Sequence, residues 1–141
     1  MKKDWSSFRP PNLDAFEKMA RTAFEALPES FRTLTEDVVF AVADFPEDDM
    51  LEELGLESPF DLLGLFEGSG LTEIGDSPQT GTLPNRIWLF RRPILDFWAE
   101  EGNETLGDIV THVLVHEIGH HFGYSDDDME AIEAEAAREE E

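Results

Sequence analysis

Residues 111–129 read THVLVHEIGHHFGYSDDDM, and the fold is decided by this stretch. All four histidines of the chain lie inside it, at 112, 116, 120 and 121. The run His116-Glu117-Ile118-Gly119-His120 is an HExxH pattern. On a helix, four residues advance about 400°, so His116 and His120 project from one face a turn apart. Two imidazoles at that spacing can hold one Zn2+ through nitrogens at about 2.0–2.1 Å. Glu117 is rotated about 100° from His116. In this pattern it stands beside the metal's open position rather than on the metal, where it can take the proton of a bound water.

The continuation sharpens the signal. Gly123 follows His120 by three residues and Asp126 follows Gly123 by three, giving HExxHxxGxxD. A shuffled chain of this composition would show HExxH with a probability of about 0.016, and the extended pattern about once in 10,000. Glycine at 123 can take the left-handed conformation that ends a helix and turns the chain. The returning chain can carry Asp126 to the metal as a third ligand, with Asp127 and Asp128 as alternatives. Three protein donors and one water make a catalytic rather than a closed structural centre. Ile109, Val110, Val113, Leu114, Val115 and Ile118 make the helix apolar on most sides, so it should run through the domain interior. Gly119 should let another element approach it closely. His112, a turn before His116, is read as a packing or hydrogen-bonding neighbour. His121 is read as partly exposed or structurally bonded. Tyr124 could stabilise an oxyanion, but packing at the helix end is the plainer role.

Outward from this helix, the pattern is α+β. Residues 1–11 should be an extended lead-in closed by Pro10-Pro11. Asn12 or Asp14 can cap a helix to about Leu27, with Phe16, Met19, Ala20, Phe24 and Leu27 on one face. Residues 38–43 and 62–67 read as strands, and Asn85 to Arg91 (NRIWLFR) is the best strand signal. Asp44 to Gly55 should be a solvated acidic loop or short helix, and Gly68 to Gly81 has loop chemistry. Ile94 to Glu101 suits a short helix. Asn103 or Thr105 should start the histidine helix, Thr105 and Asp108 having the capping-box pattern with Asp in place of the usual Glu. Asp127 to Glu141 is helix-prone, with an acidic tail fraying from about 136. Neither a repeat nor a linker divides the chain, so residues 1–141 should form one domain.

Composition limits the partners. Ten Lys and Arg stand against 33 Asp and Glu, a formal net charge of −23. Nucleic acid and anionic membrane surfaces are disfavoured, since both are met by clustered positive charge. There is no apolar run of spanning length, and no secretory signal at the start, so a cytoplasmic protein is expected. Cysteine is absent, which excludes disulfides and thiolate metal sites. Hydrophobic content of 40% is too high for a disordered acidic chain.

At residues 113–129 the chain resembles the zincin-like metallopeptidases, and most closely the small bacterial minimal zincins. A looser similarity in the order of elements covers about 12–135. The resemblance implies a zincin-like core, with a small mixed sheet packed on the active-site helix. It also implies His116, His120 and Asp126 as metal ligands, Glu117 as general base, and Zn2+ as cofactor. Metzincin-type relatives share the spacing but continue into a longer C-terminal part with a methionine turn. Only 12 residues follow Met129 here, so Met129 is expected to anchor the last helix instead. Glu130, Glu133 and Glu135 stand too near the motif for the later glutamate ligand of gluzincins.

The expected activity is zinc-dependent hydrolysis of a peptide or protein substrate. Zincins bind extended peptides along an edge strand, a mode that backbone pairing makes sequence-tolerant. NRIWLFRR is the candidate edge, with Arg86, Arg91 and Tyr124 as substrate contacts; the plainer reading of Arg86, Arg91 and Arg92 is that they pair with the chain's own carboxylates. The alternatives are a non-hydrolytic metal-binding interaction or regulatory module, and an acidic protein binding basic partners around a structural metal.

Overall fold

The computed structural model describes residues 5–35, 38–67 and 85–139. The expected loop at Gly68 to Gly81 lies outside them. A 3-10 turn at Trp5–Ser7 leads toward helix α1 (Leu13–Glu25), where Asn12 caps by accepting the Ala15 N–H at 2.9 Å. Phe16, Ala20 and Ala23 form the buried stripe of α1. A short helix α2 (Glu29–Arg32) and a 3-10 turn follow Pro28. Strand β1 (Val39–Ala43) then enters the sheet. The acidic segment after it folds as helix α3 (Asp48–Leu54). Strands β2 (Gly64–Glu67) and β3 (Arg86–Phe90), and helices α4 (Arg91–Glu101), α5 (Leu106–His121) and α6 (Asp126–Glu139), complete the described chain. This is a mixed α+β fold with a small mixed sheet, as the pattern indicated.

The sheet order is β1-β3-β2. β1 pairs with β3 in parallel, Val39 opposite Arg86 through Ala43 opposite Phe90. β2 pairs with β3 antiparallel, Gly64 opposite Leu89 through Glu67 opposite Arg86. The expectation that NRIWLFRR forms an edge strand is therefore corrected: β3 is the central strand, bonded on both sides. The run is continuously apolar from Ile87 to Phe90, and Ile87 and Leu89 are fully buried where one face of the sheet packs on the core. Among the described residues the edges are β1 and β2. The run also ends sooner than expected, because Arg91 already opens α4. Pro93 fits inside that first turn, where the missing N–H would have had no partner within the helix.

The core lies between one face of the sheet and helices α1 and α5. It joins Phe16 and Ala20 to Ile87, Leu89, Val110, Leu114 and Ile118. Eight residues of α5 are buried, spread around most of its circumference, so the histidine helix is the central helix of the domain. Met129 of α6 is fully buried against it. A Cβ at Gly119 would meet the Met129 sulfur at 2.5 Å, so the bare backbone at Gly119 is what lets α6 dock there. Among the described residues no helix is long and apolar enough to cross a membrane.

Candidate metal centre and catalytic carboxylate

Helix α5 starts on Thr105, whose hydroxyl accepts the Asp108 N–H at 3.0 Å. It ends in a Schellman motif. The Tyr124 N–H donates to the Gly119 carbonyl at 2.8 Å and the Gly123 N–H to the His120 carbonyl at 3.2 Å. Gly123 has φ +81°, a conformation that an L side chain rarely adopts. The turn launches α6 through a second capping device. Ser125 accepts the Asp128 N–H at 3.1 Å, and the Asp128 carboxylate accepts the Ser125 N–H at 3.3 Å. Asp126, Asp127 and Asp128 thus occupy the first turn of α6, where negative charge complements the helix dipole.

Between these ends, His112, His116 and His120 recur every four residues along one stripe of α5. The ring centroids of His112 and His116 lie 3.9 Å apart, those of His116 and His120 5.6 Å. A carboxylate from α6 closes on the N-terminal part of the stripe. Glu133 Oε1 is 3.0 Å from His112 Nδ1, and its Oε2 is 3.2 Å from His116 Nε2. These three residues are the one group of His, Asp or Glu donors within 4.8 Å of one another among the described residues. Asp126 stands exposed at the start of α6 and does not belong to that group. Burial tends to push Glu133 up, but its hydrogen bond with His112 and the charge of the neighbouring imidazoles prevail and hold it below the usual carboxylate range. His112 is raised, chiefly by that hydrogen bond. His116 is lowered by burial and by repulsion from His112, which favours the neutral imidazole that a metal requires.

Glu117 faces the other way, toward β2. Burial raises its carboxyl to about 7, partly offset by a hydrogen bond with the Phe66 backbone. The register explains why that group is free. The Phe90 N–H donates to the Leu63 carbonyl at 3.0 Å. In an antiparallel ladder the bonded pairs alternate, so Leu65 and Glu67 bond to β3 while Gly64 and Phe66 turn their N–H groups to the open edge. The close approach of helix and strand depends on Gly64. A Cβ there would lie 2.6 Å from Val113 Cγ1 and 2.9 Å from the Trp88 carbonyl oxygen.

The remaining candidates have partners of their own. Tyr124 packs edge-to-face on Phe31, with ring centroids 5.3 Å apart. Arg86 lies 3.8 Å from Glu67 Oε1 and over the Trp88 ring. Arg91 donates to Asp44 Oδ1 at 2.8 Å and to the Pro11 carbonyl at 2.9 Å. His121 stacks at 4.2 Å on Phe66, and burial lowers its pKa. Glu133 is the residue that sequence reasoning set aside. Its signal was present: Met129, Ile132 and Ala136 define the inward stripe of α6, and Glu133 falls on that stripe.

A mixed sheet, a central HExxH helix and a partly buried glutamate beside an edge strand are the features of a zincin-type scaffold. The family model for zincin-like metallopeptidases matches residues 35–136, and the chain belongs to that family. Among curated proteins, none matches the chain. The donors on the page are imidazole nitrogens and carboxylate oxygens, with His116 biased to its neutral form, a set that fits the divalent metal this family implies.

Proposed function

We propose that the chain is a zinc-dependent peptidase in which Glu117 is the general base and His116 and His120, with Asp126, hold the metal. Bound zinc supplies Lewis acidity to a scissile carbonyl and acidifies water. The observation that carries the reading is Glu117: a partly buried carboxylate raised to about 7 can accept a proton near neutral pH and pass it on. It emerges next to the open edge of β2, where an extended peptide can pair through the outward backbone groups of Gly64 and Phe66. The Phe66 N–H that holds Glu117 is then available to a substrate carbonyl, and Glu117 is freed toward the reacting water.

The test is a broad peptide-library digest with zinc-loaded wild type and Glu117→Gln. Wild type should cleave, and the variant should lose at least about 100-fold in turnover while binding zinc as before. Asp126→Ala should weaken zinc binding. One observation favours a non-hydrolytic metal-binding module: the Glu117 carboxylate is tied to strand β2 rather than to the histidine stripe. Zinc binding with no cleavage of any library member would establish that second reading.

A further inference from the structure

Of the HExxH pair, the carboxylate of Glu133 contacts His116 alone among the described ion pairs. Its other contact lies one turn further back, at His112. We propose that His112, His116 and Glu133 form a second metal register on α5, sharing His116 with the His116–His120 register. Geometry supports this directly. Donors bound tetrahedrally at about 2.1 Å lie about 3.4 Å apart. The two Glu133 contacts are 3.0 and 3.2 Å, one from each carboxylate oxygen, and the ligand atoms of all three residues lie within 4.8 Å of one another. His112 is half exposed, at 49%, which leaves a path for an ion and a place for water as the fourth ligand. Glu133 is held in position by α6, because Met129 and Ala136 on the same stripe are buried.

The two registers exclude each other. A neutral imidazole has one unprotonated nitrogen, so His116 serves one metal at a time. The chain therefore binds a single ion, drawn toward His120 in one register and toward His112 and Glu133 in the other. The second register stores the metal without engaging His120. This inference shares His116 with the proposed active centre, but its test reads metal binding alone and needs no cleavage.

Zinc titration by calorimetry of wild type, His120→Ala, His112→Ala/His120→Ala and His120→Ala/Glu133→Gln tests it, with circular dichroism confirming that each variant is folded. Wild type should bind one zinc. His120→Ala should still bind one, through the second register, and each double variant should weaken that binding at least tenfold. Cobalt substitution gives an independent readout: the visible absorption of Co2+ in His120→Ala should be lost in both double variants. Loss of all zinc binding in His120→Ala would overturn the proposal, as would undiminished binding in the double variants. Two zinc ions bound simultaneously to wild type would overturn the shared-histidine exclusion. If a double variant is unfolded, Glu133→Asp and His112→Gln in the His120→Ala background carry the same comparison. Failure of the peptidase reading appears only in the library digest, so the two outcomes are separable.

Discussion

Glu117 combines two demands that conflict in stability and agree in chemistry. Burial raises its carboxyl to about 7 from an ordinary value of 4.5. Between those two values the folded chain binds more protons than the unfolded one, so this group's contribution to stability is full below pH 4.5 and is lost as pH rises through 7. At pH 8.5 the ionised Glu117 then costs the metal-stripped protein on the order of 3 kcal/mol relative to acid. Glu117→Gln, which never ionises yet can still accept the Phe66 N–H, should raise the thermal midpoint of the stripped protein at pH 8.5 and leave it nearly unchanged at pH 4.5. Saturating zinc should shrink the difference at pH 8.5, because a nearby dication favours the carboxylate. Thermal melts of the two proteins at both pH values, with and without zinc, check the pattern. An equal shift at both pH values would mean that the substitution acts through packing and not through charge.

At the scale of elements, the approach of α5 to β2 is set by the missing side chain at Gly64. A new Cβ would press on the Trp88 carbonyl at 2.9 Å as well as on Val113, and a backbone atom in the central strand pair cannot swing aside. Gly64→Ala should therefore destabilise the domain by about 2–3 kcal/mol, read from urea unfolding. At Gly119 the neighbour is the flexible Met129 side chain, and helix propensity favours alanine by about 1 kcal/mol. Gly119→Ala should be the milder change. Such local chemistry is also what the sequence displays. The Thr105 cap, the turn at Gly123 and the Met129 anchor were readable because each depends on residues a few positions apart. The central place of β3 was not readable, since a strand-forming run looks the same whether it is bonded on one side or two. Arg91 was misread as strand because the apolar run Ile87 to Phe90 leads straight into α4 with no turn residue between them. Glu133 was set aside as too near the motif in sequence, and only the crossing of α6 with α5 shows that its carboxylate turns toward the histidine stripe.

The molecule as a whole is dominated by its charge of −23. Three of its arginines, Arg21, Arg86 and Arg91, pair with its own Glu17, Glu67 and Asp44. Arg86 and Arg91 are thus engaged with carboxylates of the chain itself, which argues against their selecting acidic peptides; under the proposed peptidase reading the net field would favour basic ones. Charge of one sign acts on the fold and on encounter in opposite directions. Self-repulsion destabilises the compact state and is relieved by screening, whereas attraction of a cationic ligand is weakened by it. Raising salt from 20 to 500 mM shortens the Debye length from roughly 20 Å to about 4 Å, so both effects should be nearly switched off over that range. The thermal midpoint should rise across it. The specificity constant for a Lys-flanked peptide should fall by 10-fold or more, the size expected of steered association. The same scissile core flanked by Glu should show the reverse slope, because its repulsion is screened instead. Measuring both peptides with one zinc-loaded preparation removes any salt effect on metal occupancy, which would move the two rates together. Parallel salt slopes for the two peptides would show that the acidic surface serves solubility and takes no part in choosing the substrate.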